Sequence, residues 1–259
     1  MNRSRKLAYG LGNVAISLTY NAFFAYVTFF YVDHLKMPAG LFALGFTIYT
    51  LWNALNDPLA GILSDRTRTR WGRRIPYIAI GSLPLAICFA LVWLAPFPGD
   101  SPWLFWYFLA VIFLYDGFYT LVSVSQTSLF PEMFPDQAQR AEVSGYRQVF
   151  GLVGLILGIA LPPILYGGIG WGAMGVLFGV VSAVCLYVSL WGCRERPELC
   201  RQEPMPLKEA LTGTLVNRSF GTFVTAYVLM QYAFSLLMAA IPFYAKYVLR
   251  LPDQNTTFL

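Results

Sequence analysis

Charge is what this sequence has least of. Asp, Glu, Lys and Arg make up 12% of its 259 residues, about half the roughly 25% of an ordinary soluble domain. With 57% hydrophobic residues, a soluble globular fold is excluded. Histidine is nearly absent: the single His34 cannot build an HExxH-type hydrolytic centre, and no phosphate-binding glycine loop occurs. Cysteine is scarce too. Cys88 and Cys185 lie inside apolar runs, and the Cys193/Cys200 spacing fits neither a zinc site nor a redox pair, so isolated thiols are expected. No catalytic constellation is left, so the chain is read as a non-enzyme with no cofactor and no structural metal. A cleavable signal peptide is also missing, because the apolar run after the basic residues 1–6 is too long and lacks a small-residue cleavage site. The formal charge of +5 does not indicate a nucleic-acid partner, since the basic residues sit in short loops between apolar runs.

Long apolar runs are what the chain has instead. A membrane-spanning helix needs about 20 mostly apolar residues, and seven stretches qualify: 7–31, 41–63, 75–96, 104–129, 143–166, 172–193 and 220–248. Aromatics reach 17%, as suits rings at bilayer interfaces. The expected fold is an all-α integral membrane protein. It comprises a six-helix bundle over 1–193, a linker over 194–218 and the first helix of a second bundle over 219–259, and the chain reads as truncated. In the linker, Leu207, Leu211 and Leu215 recur beside Lys208 and Glu209, the spacing of a short amphipathic helix against membrane lipid. Arg3, Arg5, Lys6, Arg66, Arg68, Arg70, Arg73, Arg74, Arg140, Arg194, Arg196, Arg201, Lys208 and Arg218 all fall on one side. By the positive-inside rule that side, with the N-terminus, is cytoplasmic, in a cell (inner or plasma) membrane.

Polar groups in hydrocarbon are costly and default to function. They cluster on four of the runs: Asn13, Ser17, Tyr20 and Asn21; Thr47, Thr50, Asn53, Asn56 and Asp57; Asp116, Tyr119, Thr120, Ser123, Gln126 and Thr127; Ser144 and Arg147. The third and sixth runs are almost purely apolar. Four lining helices and two lipid-facing ones make the pattern of a transport cavity. Asp57 and Arg147 stand out as intramembrane charges; the plainer alternative is an ion pair, or hydrogen bonds, that only fix helix packing. Asp57 lies roughly 12 Å deeper than Asp65 at 1.5 Å per residue. A lone carboxylate there is expected to be desolvated. Gly151, Gly154 and Gly158 read as close helix packing, and His34 as a solvated interfacial side chain. Asp65, at an electronegative helix end, calls for an answering Arg66, Arg70, Arg73 or Arg74.

The segment Gly61-x-Leu-x-Asp65-Arg66 resembles the loop 2–3 signature of the major facilitator superfamily. Its longer form runs from Asn56-Asp57-Pro58 to Arg70-Trp71-Gly72-Arg73. That form is similar to the glycoside–pentoside–hexuronide:cation symporters, of which melibiose permease is the best-known member. Lys6-Leu-Ala-Tyr-Gly10, Ser128-Leu-Phe-Pro-Glu132 and Ser144-Gly-Tyr-Arg147 extend the likeness over the chain. The resemblance implies the N-terminal half of a sugar carrier working by alternating access and coupled to H⁺ or Na⁺, which needs its C-terminal half for transport. It further implies a cation or proton site at Asp57, Asn56, Asn53 and Ser123, to which Thr120 is added from its place on the fourth run. Solute contacts are implied at Arg147, Tyr119, Ser17 and Thr127, with Asp116 added from its own position, and a conformational motif loop at Gly61, Asp65, Arg66, Arg70, Gly72 and Arg73. Family carboxylates are replaced by Asn53, Ser123 and Ser17, which points toward H⁺ rather than Na⁺. Alternatives are a carrier of another organic solute and a non-transporting membrane scaffold; the polar stripes argue against the scaffold, which needs no aqueous path.

Overall fold

The computed structural model describes residues 2–195 and 216–247, and their regular structure is helical apart from a single bridge between Thr69 and Gly72. The helices are α1 (Arg3–Thr28), α2 (Ala39–Arg66), α3 (Ile75–Val92), α4 (Pro102–Met133), α5 (Gln137–Ala160), α6 (Pro162–Ile169), α7 (Trp171–Gly192) and α8 (Arg218–Tyr247). Two units divide the chain, 1–202 and 203–259; α8, 30 residues long, belongs to the second. The amphipathic linker helix expected around Leu207–Leu215 lies outside the described residues.

Among the described residues, five helical segments are long and apolar enough to cross a membrane: Arg3–His34, Ile75–Val92, Pro102–Met133, Gln137–Ala160 and Trp171–Gly192. The chain is therefore a multi-pass membrane protein. At 28 residues α2 has the length, but Thr47, Tyr49, Thr50, Asn53 and Asn56 dilute its apolar character.

Local chemistry sets the boundaries. Ser101 caps α4, its hydroxyl accepting from Trp103 N, with Pro102 in the first turn; Asp136 caps α5, accepting from Gln139 N, the usual service of a short oxygen-bearing side chain at an N-cap. α1 widens at its end into a π-helical segment, Phe29–His34, and Lys36, at φ +64°, turns the chain toward α2. The run 143–166, read as one span, is divided: α5 stops at Ala160 and α6 restarts at Pro162. Neither Pro162 nor Pro163 has an N–H to donate to the preceding turn, and their rings crowd its carbonyls.

Within the first unit α1 lies against α5 and α7, α3 against α4 and α7, and α2 against α4. A Cβ on Gly154 would sit 2.5 Å from Val14 O, and one on Gly158 would sit 2.8 Å from Leu18 O. Here α1 and α5 meet backbone to backbone, as small residues allow in membranes. The buried core is aromatic, built from Phe23, Tyr31, Phe89, Trp93 and Phe108. Outward faces remain apolar: Ile80, Leu83 and Ile87 on α3, and Val180, Val184 and Trp191 on α7, are exposed.

Candidate functional site

The α2 stripe meets α4 along a polar seam. Asp116, 2% exposed, accepts through Oδ1 from Asn53 Nδ2 (2.9 Å) and from the Tyr49 hydroxyl (3.3 Å), and through Oδ2 from Asn56 Nδ2 (2.9 Å). Asn56 Nδ2 also reaches the Asp116 carbonyl at 3.1 Å. Tyr49, Asn53 and Asn56 are spaced four and three residues apart, so they share one helix face. One turn further along, the Thr120 hydroxyl donates to Asp57 Oδ1 at 3.2 Å. The sequence-predicted cation-site residues Asp57, Asn56, Asn53 and Thr120 thus come together, whereas the Ser123 hydroxyl turns back on its own helix to Thr120 O (3.3 Å).

Two expectations change. Asp57, read as the desolvated carboxylate, is exposed in the structure; burial has fallen on Asp116 instead. Asp116, read as a solute contact, has its carboxylate taken up by three α2 side chains. A seven-residue step separates Asp116 from Ser123, two turns on the same α4 face, and it carries the α4 carboxylate to the level of Tyr49 and Asn53.

Arg147 occupies a different setting on α5. Its guanidinium lies 4.7 Å from the Phe130 ring centroid and 5.9 Å from that of Tyr9, within cation–π range. Asn13 Nδ2 donates to Arg147 O (3.1 Å), and Arg147 Nε approaches Asn13 Oδ1 at 3.5 Å. Among the described residues Arg147 forms no ion pair, so the alternative of an Asp57–Arg147 pair is not realised; the nearby Glu142 on α5 is held by Lys6 at 2.5 Å. Ser17 donates to Gly151 O at 2.7 Å, so its hydroxyl serves the α1–α5 contact. Tyr119 is half-buried, 5.9 Å from the Tyr20 ring, and Thr127 is exposed. Sequence reading assigned no partner to Gln126, which is fully buried between helices: Tyr9 OH donates to its carbonyl (2.5 Å) and its Nε2 donates to Tyr9 O (3.3 Å).

The motif loop folds back on itself. Thr69 and Gly72 pair through their backbones, Thr69 Oγ1 donates to Gly72 O at 2.7 Å, and Gly72 takes φ +114°, where glycine is favoured. Asp65 is answered by Arg74 at 3.0 Å. Glu132, at the end of α4, bridges Arg73 (2.8 Å) and Arg74 (3.1 Å). Arg66 and Arg70 are exposed, with Arg70 over the Trp71 ring at 5.8 Å, and Gly61 faces open space. The part of Glu132 went unread in the sequence, although its signal was present: a carboxylate at the C-terminal end of a helix, as with Asp65.

A sequence model of the family described as MFS/sugar transport protein matches residues 8–259. An uncharacterized symporter of Synechocystis is 34% identical over 202 residues, covering 74% of this chain and 37% of the relative. The isoprimeverose transporter of Lactiplantibacillus pentosus is 27% identical over 224 residues, covering 83% and 47%. The inner membrane symporter YicJ of Escherichia coli is 26% identical over 262 residues, covering 98% and 56%. The chain spans about half the length of the curated relatives it matches.

Proposed function

We propose that this chain, which belongs to the MFS/sugar transport protein family, supplies the coupling-site half of a carrier that moves a glycoside-like solute together with a cation by alternating access. The observation that carries the reading is the α2–α4 seam, where Thr120 holds an exposed carboxylate, Asp57, and Asn53 and Asn56 hold a buried one, Asp116. A scaffold would have no use for two carboxylates at membrane depth. The likeness to an isoprimeverose transporter supports a glycoside as the solute class.

Asp57 is the group that exchanges the coupling ion. It is exposed, the Thr120 hydroxyl that donates to it is neutral, and its carboxylate neighbour Asp116 is already engaged by α2. A hard cation such as Na⁺ is held by several oxygen ligands with negative charge among them; here the positions that would add charge are Asn53 and Ser123. The proposed coupling ion is therefore H⁺, and Arg147, with its planar fork of donors, orients the solute. The N-terminus and the motif loop are placed on the cytoplasmic side, and α2 and α8 are taken as two further membrane spans.

Uptake of labelled isoprimeverose by the full-length protein in vesicles tests this, at fixed pH with and without Na⁺ and then across a pH gradient without Na⁺. Accumulation driven by the proton gradient is expected. Strong Na⁺ stimulation with no response to the proton gradient would overturn the coupling assignment.

A further inference from the structure

α3 begins without a cap of its own. The first N–H groups of a helix have no intrahelical partner, and Arg74 at the N-cap gives them no side-chain acceptor. Arg73 and Arg74 moreover place two cations at the positive end of the helix dipole, the unfavourable sign. The missing acceptor arrives from the far end of the first unit. Glu195, just beyond α7, accepts from Arg73 N through Oε2 (2.6 Å) and from Arg74 N (2.6 Å) and Ile75 N (2.8 Å) through Oε1. Gly72 shapes the seat independently. A Cβ there would lie 2.3 Å from Glu195 Oε2 and 2.4 Å from its Cδ, so any side chain at 72 would displace the carboxylate.

We propose that Glu195 and Gly72 form a latch through which the cytoplasmic end of α7 sets the arrangement of the motif loop. The same two arginines whose backbone the carboxylate holds use their side chains to hold Asp65 on α2 and Glu132 on α4. Withdrawal of Glu195 leaves three amides uncapped and loosens Arg73 and Arg74, and through them the ends of α2 and α4. Glu195 is a positioning residue: it acts through Arg73 and Arg74 and needs no contact with solute or coupling ion. The glycine of the Arg-Trp-Gly-Arg stretch is then required for the space it leaves to Glu195 as well as for its φ.

Amide hydrogen exchange of the full-length protein in detergent micelles, followed peptide by peptide, tests the latch without any substrate. Glu195→Ala should speed exchange at residues 73–75 about tenfold or more, as loss of charge-assisted hydrogen bonds does, and leave the middle of α3 unchanged. Gly72→Ala should do the same with Glu195 still present, and the double variant should exchange no faster than either single one. Glu195→Gln, which keeps one acceptor oxygen, should fall between. Peptides covering the ends of α2 and α4 should also quicken. Wild-type rates at residues 73–75 in Glu195→Ala, or independent multiplying effects of the two substitutions, would overturn the proposal. Acceleration confined to 73–75, with α2 and α4 unmoved, would reduce Glu195 to a simple cap and overturn the latch. Should Glu195→Ala not fold, Gly72→Ala and Glu195→Gln decide the same question.

Discussion

Replacing Asp116 by alanine separates the two roles its position allows. Its carboxylate accepts two amide hydrogen bonds at 2.9 Å and one from a tyrosine hydroxyl at 3.3 Å, all from α2. Side-chain hydrogen bonds between membrane helices contribute about 0.6 kcal/mol on average and up to about 1.7. Donors left buried without an acceptor cost about 1–3 kcal/mol each, although Asn53 is only partly buried. Asp116→Ala should therefore destabilise the full-length protein by about 2–4 kcal/mol. Asp116→Asn, which keeps one acceptor oxygen but turns an amide toward an amide, should lose about half as much. Reversible unfolding in mixed micelles measures both, and a double-mutant cycle with Asn53→Ala should return a coupling of about 1 kcal/mol. Wild-type stability in Asp116→Ala accompanied by collapsed uptake would refute the reasoning, making Asp116 a solute or ion contact instead of a clip.

Asp57→Asn should abolish the proposed proton-driven solute accumulation while sparing much of the stability, because the hydrogen bond from Thr120 at 3.2 Å survives with an amide oxygen; uptake and thermal unfolding on one preparation check this. Gly154→Val, which drives a side chain onto the α1 backbone 2.5 Å away, should cost several kcal/mol by the overpacking mechanism, whereas Gly151→Ala, in open space, should be near neutral. Ser101→Cys should be alkylated by an impermeant maleimide only from outside, and labelling from the cytoplasm alone would reverse the proposed orientation.

Much of the helical frame was legible, and for a simple reason: hydrocarbon demands long apolar runs, and the sequence shows them directly. Boundaries were less so. The fifth run read as continuous across Leu161 because hydropathy does not register a missing N–H, although Pro162-Pro163 carried the signal. α5 starts at Gln137, earlier than its apolar run, because Asp136 caps it. In the site, periodicity put Asn53, Asn56 and Asp57 on one polar stripe of α2, and the family likeness named them as a cation or proton site. What periodicity cannot give is the partner across the interface. Which of Asp57 and Asp116 is buried depends on how α2 and α4 are rotated against each other. The reach of Glu195 to α3 depends on α7 packing beside it, with donor and acceptor 120 positions apart in the chain.

The cluster at the start of α3 has a physical logic that links its members. Asp65 lies near the end of α2, Glu132 in the last turn of α4, and Glu195 just past α7. Each is a carboxylate near an electronegative helix end, where it is disfavoured unless a cation or a donor meets it. All three converge on Arg73, Arg74 and the first turn of α3. The start of α3 meets Glu195 with aligned N–H groups and the roughly half positive charge of its dipole. The two arginines, unfavourable as dipole partners for α3, are thus set by the carboxylates of its neighbours. Pro76, in the first turn, helps fix where α3 begins, and with it which N–H groups are left for Glu195. A shift of that start by one residue would rotate Arg73 and Arg74 by about 100° around the helix and move them away from Asp65 and Glu132. The cluster therefore responds to the register of α3 as a whole and not to any single pair.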